Sequence, residues 1–325
     1  MTMQTLIKNS NLIIDSKYTL ISQIGTGGSS DIYQCKFFNY TNSEYEECAL
    51  KIYKNYYPDC YLNNEIKMNV KVNNSNNSYI LNTLSFKTGA KIKVIDNGKS
   101  NKNNQDLSNQ KINYIAMEYA KYGDLQQYLF RPLRENIAKF IFLQILLSVE
   151  TCHIANIVHR DLKPENIFIC ESFQIKLGDF GHATMKNESF SEYLTDYNIG
   201  TTCYNAPEIN ERVPYKGVST DIFSLGVLLF TIISGGLQPF EKASIEDESY
   251  INIIKNDYDQ FWDSFDFSYN LSEDLKDLIN CMLAYDQDER FDIPTIKSSN
   301  WLESNIASKE EVVNELQRNK IRCVL

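Results

Sequence analysis

The chain changes character near Gly123, and that change limits its fold more than any other feature. Before it, apolar and polar residues alternate in short runs. Two strand patterns lie between Tyr18 and about Phe38, a third in "ECALKIY" (47–53), and others near 79–86, 90–96 and 113–119. Period-two alternation bounded by Gly and Asn is what half-buried strands require. One helix is predicted here, over "YLNNEIKMNVKV" (61–72), stopped by the polar "NNSNNS" (73–78). Beyond Gly123 the pattern turns helical, over about 124–130, 135–154, 219–234, 245–256 and 272–283. Ser272 opens the last of these with Glu273 and Asp274 in its first turn, where the helix dipole favours carboxylates. Strands first and helices after predict an α+β fold in two lobes meeting near residue 120, with ligands expected between them.

A length of 325 residues suits this division, and 43% hydrophobic with 23% charged residues is the composition of a globular protein. The net charge of −10 argues against general nucleic-acid affinity, which needs clustered Lys and Arg, and suits basic partners better. Eight cysteines without a C-x-x-C pair suggest neither zinc nor a redox dithiol, and are read as reduced and mostly buried. "MTMQTLIKNS" has no apolar signal-peptide core and no Met-Gly for myristoylation, and Cys323 in "RCVL" stands one place too late for prenylation. The apolar runs "FIFLQILL" and "FSLGVLLFTII" are read as too short to span a bilayer. The expectation is a cytoplasmic monomer without a membrane partner, nuclear access left open.

The stretch "IGTGGSSDIYQCKF" (24–37) places three glycines in four positions between two strand patterns. It reads either as a plain turn using glycine for positive φ or as a cradle for phosphates. Residues far downstream bear on the choice. "IVHRDLKPENIF" (157–168) puts a carboxylate, Asp161, and an amide, Asn166, on one tight loop, and Asp179 follows within "GDFGHA" (178–183). Phosphoryl transfer asks for this set: one carboxylate to take or orient a hydroxyl proton, and a carboxylate with an amide oxygen to hold Mg²⁺ against phosphates.

With these motifs the chain resembles the eukaryotic protein kinase family, serine/threonine type, over about residues 18–303, with a general texture like the calcium/calmodulin-dependent group. The series runs "GTGGSSDI", "CALK", Glu65, "MEYAKYGDL", "HRDLKPEN", "DFG", "GTTCYNAPE", "DIFSLGV" and Arg290. The resemblance implies a bilobal kinase fold, a small antiparallel β-sheet lobe with one helix and a larger, mainly α-helical lobe. It divides the chain into an extension (1–17), an N-lobe (18–119) with an Asn-rich insertion (97–110), a C-lobe (120–303) and a helical tail (304–325). It implies an ATP-dependent kinase using Mg²⁺ or Mn²⁺ on Ser/Thr of protein or peptide substrates; the alternative is a pseudokinase that binds nucleotide or partners only.

Residue roles follow by the same resemblance. Asp161 is the base, Lys163 screens the γ-phosphate, Asn166 and Asp179 hold the metal, and Thr201 ties the peptide platform to Asp161 and Lys163. Lys51, paired to Glu65, meets the α/β-phosphates. Ile24, Gly25, Gly27, Ile32, Ala49 and Phe168 surround the nucleotide, Met117 is the gatekeeper, and the backbone of Glu118 and Ala120 bonds the adenine. Asp124 meets the ribose, caps the next helix, or does both. Glu208 with Arg290 and Asp221 are structural, His159 is a packing residue, and Phe223, Trp262 and Trp301 belong to the core. The pattern departs at Ser30, the third glycine position, and at Asn69, where an aliphatic residue is usual. Arg160 suits a loop that docks a phosphate. Among Ser189, Ser191, Tyr193, Thr195 and Tyr197, Thr195 is the favoured phosphosite, the rival being activity without modification through Glu192 or Asp196. Glu165 and Asp124 match acidic positions of kinases that prefer basic substrates. The tail "SKEEVVNELQRNKIR" (308–322) opens with a capping box, Ser308 and Glu311, but Asn319 interrupts its Val312–Leu316 stripe, so packing on the helical lobe is favoured over partner capture.

Overall fold

The computed structural model describes residues 11–74, 77–95, 110–186, 193–267 and 270–322, which fall into two compact units. The first, residues 1–73 and 81–121, holds six antiparallel strands: β1 (Asn11–Ile14), β2 (Tyr18–Thr26), β3 (Ser30–Asn39), β4 (Glu44–Tyr53), β5 (Thr83–Ile95) and β6 (Lys111–Glu118). Their order is β1-β2-β3-β4-β6-β5, and β1 also pairs with β5. Leu12, Tyr18, Tyr33, Leu50, Ile92 and Tyr114 fill the core they share. Every residue of β4 from Cys48 to Tyr53 is buried, so Lys51 sits in a strand that gives its charge no water. Across this sheet packs helix α1 (Asp59–Asn73), whose buried residues Leu62, Glu65, Met68, Asn69 and Val72 recur at helical spacing.

Two expectations change in this unit. Residues 11–14 were expected in an extension but form β1, because Leu12 and Ile14 are wholly buried against the sheet. The strands expected at 79–86 and 90–96 are one, β5, which continues through a bulge at Lys87–Ala90 where Gly89 takes φ +66°. The gap expected between the two strands is a bulge instead.

The second unit comprises residues 74–80 and 122–325; the segment 74–80, expected with the strands, belongs here through Leu177 N–H donating to Tyr79 O at 2.9 Å. It is built on helices α2 (Glu135–Ile154), α3 (Gly217–Ser234), α4 (Glu273–Met282) and α5 (Lys309–Arg322), with the hairpin β7 (Ile167–Ile169) and β8 (Ile175–Leu177). The apolar runs read as too short for a bilayer lie in α2 and α3, which by length and composition alone reach a membrane span; 61% and 94% of the respective apolar windows are buried inside the protein. Burial in the core accounts for that apolarity. Trp262 and Trp301 are buried here too.

The helix expected at 124–130 is one 3₁₀ turn, Leu125–Tyr128, and that at 245–256 shrinks to Tyr250–Ile254. Asp247 is the reason for the second change, since its carboxylate accepts from the N–H groups of Glu241, Lys242, Ser249 and Tyr250 and bends the chain before them. Short helices not foreseen, Tyr258–Asp263, Ile293–Lys297 and Asn300–Glu303, each begin at a side-chain cap, Asp257, Asp292 and Ser299. Four of the seven described cysteines are buried, while Cys60 is exposed.

Candidate active site

In the second unit the loop between Val158 and β7 gathers the polar residues of "HRDLKPEN". Its backbone is held from beneath by Asp221 of α3, fully buried, whose carboxylate accepts from His159 N–H (2.9 Å), Arg160 N–H (2.8 Å) and His153 Nε2 (2.9 Å). Arg160 takes φ +63°, a conformation that costs a non-glycine residue about 1–3 kcal/mol and that these bonds hold in place. His159 is buried with Nε2 3.1 Å from Gly178 O and its ring edge-on to Phe180 at 5.1 Å, the surroundings of a packing residue.

On that base Asp161, Lys163 and Thr201 close a triangle. Lys163 Nζ lies 2.9 Å from Asp161 Oδ2 and donates to Thr201 Oγ1 at 2.8 Å; the threonine hydroxyl donates in turn to Asp161 Oδ1 at 2.9 Å. Asn166 Nδ2 donates to Asp161 O (2.8 Å) and Oδ2 (3.0 Å). With both amide hydrogens directed at Asp161, the side chain's other polar atom is an acceptor oxygen, the donor type a hard cation takes. Gly178 N–H donates to Asn166 O at 3.0 Å and brings in Asp179, at φ +58°, as a second oxygen donor. Asp124 and Phe168 meet in an antiparallel bridge.

In the first unit Lys51 Nζ and Glu65 Oε1 are 2.6 Å apart with side chains 7% and 2% exposed, a buried ion pair rather than surface decoration. Lys51 pairs in register with Ile32 of β3, and Ala49 with Met117 of β6, so these four sit on adjoining strands. Glu118 N–H donates to Asn82 O at 2.8 Å, and Ala120 is half-buried. Ile24 is 47% exposed. Asn69 replaces apolar packing with bonds: it donates to Glu65 O (2.9 Å) and accepts from Thr83 Oγ1 (3.0 Å), and Asn73 exchanges bonds with the Thr83 backbone, so α1 is tied to β5.

The glycine turn does not use its glycines for positive φ. None of Gly25, Gly27 and Gly28 has positive φ, and an added Cβ would meet nothing of the protein closer than 3.4 Å. The turn is held by its own carbonyls, Gly27 N–H donating to Ser30 O (2.8 Å), Tyr56 OH to Gly28 O (2.6 Å) and Lys54 Nζ to Gly27 O. Neither backbone conformation nor the protein's own packing requires glycine there.

Residues 18–302 match the family model described as "Protein kinase domain". The chain belongs to the protein kinase family. It is 35% identical over 189 residues to CBL-interacting protein kinase 26 of Oryza sativa subsp. japonica, covering 58% of this chain and 36% of that one. It is 33% identical over 193 residues to CBL-interacting serine/threonine-protein kinase 5 of Arabidopsis thaliana (59% and 41%), and 35% over 180 residues to serine/threonine-protein kinase GIN4 of Saccharomyces cerevisiae (54% and 15%). The chain thus spans less than half the length of these relatives.

Kinase landmarks outside the loop are also closely bonded. Arg290 makes a two-pronged pair with Glu208, NH1 to Oε1 at 2.7 Å and NH2 to Oε2 at 2.8 Å, and lies 4.9 Å from the centroid of Phe223. Arg160 donates from Nε to His182 O (2.8 Å) and from NH1 to Tyr215 OH (3.1 Å), and lies 3.5 Å from Asp196 Oδ2. Burial pushes the Tyr215 hydroxyl up; protonated, it donates to Asp196 O at 2.8 Å. Asp196, one of two acidic candidates for this arginine, is thus beside it; the other, Glu192, lies outside the described residues, as do Ser189 and Ser191. Thr195 is exposed and Tyr197 packs on Tyr215. The sequence reading missed the Asn69–Thr83 bond and a set of contacts from α5, whose polar residues gave no periodic signal.

Proposed function

We propose that the chain is an ATP-dependent serine/threonine protein kinase, and the observation that carries this reading is the Asp161–Lys163–Thr201 triangle. An acceptor hydroxyl oxygen attacks the γ-phosphorus of ATP, the bond from that phosphorus to the bridging oxygen of ADP breaks, and the hydroxyl proton passes to Asp161. Lys163 neutralises charge on the phosphoryl oxygens, and Thr201 fixes the peptide backbone relative to Asp161. Lys51, aligned by Glu65, binds the α- and β-phosphates, and the turn at Gly25 and Gly27 admits them closely. Asn166 and Asp179 are oxygen donors suited to Mg²⁺ or Mn²⁺, which when bound offsets phosphate charge. Little covalent work falls to the protein; positioning and electrostatics supply the rate.

The acceptor is read as Ser/Thr from Lys163 and Thr201. The substrate is read as basic from Glu165, Asp124 and a hollow of about 720 Å³ beside Cys203, rimmed by the exposed Glu241, Glu246 and Glu248. Burial, chiefly, and the nearby carboxylates of Glu165 and Asp161 push the Cys203 thiol up, so this wall stays uncharged amid negative charge. Thr195, exposed and next to Asp196, is the proposed phosphosite of the activation segment.

The test is γ-³²P transfer from MgATP to a degenerate peptide library fixed at Ser, Thr or Tyr. Labelling of Ser and Thr peptides with enrichment of Arg or Lys upstream is expected. Labelling of Tyr peptides would overturn the acceptor reading, flat upstream preference the basic one, and no labelling with either metal the enzyme itself.

A further inference from the structure

Helix α5 lies on the second unit against α2 and the Leu125–Tyr128 turn, and its contacts there are more polar than its sequence suggests. Val312 (1% exposed), Leu316 (0%) and Asn319 (4%) form one buried stripe. Asn319 Nδ2 donates to Tyr128 O at 3.3 Å. Lys320 Nζ donates to Tyr122 O at 2.9 Å and to Tyr128 OH at 3.2 Å, and lies 5.0 Å from the centroid of the Tyr128 ring; Tyr128 OH itself donates to Tyr122 O at 2.7 Å. The three groups close a ring of hydrogen bonds. Burial, with the nearby Asp124 carboxylate adding, pushes the Tyr128 hydroxyl up to about 12, so it keeps its proton.

This ring brackets the turn that begins at Asp124. Its carboxylate accepts from Gln127 N–H (3.3 Å) and Nε2 (2.8 Å). From the opposite side β7 grips the same stretch, Tyr122 N–H donating to Ile169 O (3.0 Å) and Ile169 N–H to Gly123 O (2.8 Å). Gly123, at φ +84°, turns the chain between the two grips, and a Cβ there would fall 2.6 Å from the Gln127 amide. The position of Asp124 therefore depends on α5 as well as on β7.

We propose that α5 is a clamp for the ribose side of the nucleotide site, Lys320 and Asn319 being positioning residues that act through Asp124. The proposal rests on the kinase reading, in which Asp124 accepts hydrogen bonds from the ribose hydroxyls. Capture of the turn by a helix near the end of the chain couples nucleotide affinity to whatever occupies or displaces that helix.

The experiment compares Kd for MgATP and for 2′,3′-dideoxy-ATP, by calorimetry on the full chain, in wild type, Lys320→Met, Lys320→Arg, Asn319→Leu and Asp124→Ala, and in the Lys320→Met/Asp124→Ala double variant. Lys320→Met is expected to weaken ATP about three- to tenfold, Lys320→Arg to recover part of it, and Asn319→Leu to lose less. Neither dideoxy-ATP nor the Asp124→Ala background is expected to feel Lys320→Met, because the coupling runs through one contact. Wild type that prefers ATP over its dideoxy analogue while Lys320→Met and Asn319→Leu change neither affinity overturns the clamp alone. An equal loss for both nucleotides also overturns it, reducing α5 to general stability. Wild type that binds neither nucleotide overturns the kinase reading itself.

Discussion

The loop around Asp161 and the turn at Gly25–Gly28 are both short and both carry the proposed chemistry, but they are held in opposite ways. In the loop the side chains bond to one another and to partners distant in sequence: Asp161 to Asn166 within the loop and to Thr201 beyond it, and the backbone beneath it to Asp221, itself bonded to His153. In the turn, apart from the Thr26–Asp31 side-chain bond, the bonds run to backbone carbonyls, and Gly25, Gly27 and Gly28 present no side chain. One is organised before any ligand arrives, its strain at Arg160 already met by buried bonds. The other leaves its glycine positions open. Electrostatic catalysis needs the first kind of site, since donors that reorganise during the reaction lose most of their benefit, while a nucleotide that must enter and leave is better served by the second.

Four substitutions sharpen or break this contrast. Arg290→Met should have the largest effect, because it leaves Glu208 buried without its partner; a loss of about 3–5 kcal/mol is expected in chemical unfolding, and a loss under about 1 kcal/mol would mean the pair is hydrated. Asp221→Asn should slow phosphoryl transfer about a hundredfold with nucleotide affinity kept, as Arg160 relaxes from positive φ; unchanged turnover would mean the loop holds itself. Gly27→Ala should do the reverse, raising KM for ATP about three- to tenfold while leaving unfolding within about 0.5 kcal/mol of wild type. A destabilised variant with normal KM would return the glycines to the role of a plain turn. The smallest effect is at Glu311, whose carboxyl is held below its usual value of 4.5 by the Ser308 N–H and hydroxyl. A carboxyl depressed in the folded state contributes above its unfolded pKa and loses that contribution as pH falls through the folded one. Protection factors of the α5 amides, that is exchange relative to the intrinsic rate at each pH, should therefore fall below about pH 4.5 in wild type, and Glu311→Gln should show no such onset.

The loop was legible in the sequence because its polar residues are contiguous: "HRDLKPEN" places carboxylate, lysine and amide within six positions, and β7 follows directly. The strand runs of β2, β3 and β4 were legible for the same local reason. What the sequence hid depends on partners far away. Asn319 looked like a break in an apolar stripe, yet its amide meets a carbonyl 191 positions earlier, which makes it a buried, satisfied part of that stripe. Asn69 looked like a defect in α1 and is a tie to β5 through Thr83. The gap between the strands expected near 79–86 and 90–96 and the helix expected over 245–256 were read from local propensity; the sheet continues through the first, and Asp247 caps loop amides in the second.

The central claim is that Asp161, fixed in advance by Thr201 and Lys163, takes part in the transfer step itself. A quenched-flow single-turnover measurement of γ-phosphate transfer to a serine peptide at saturating MgATP tests it, with wild type set against Asp161→Asn, which keeps the shape and removes the base. The account expects the rate to fall about 10²- to 10⁴-fold with Kd for ATP and peptide within about twofold of wild type. Equal rates would contradict it, and would move the catalytic role away from this loop.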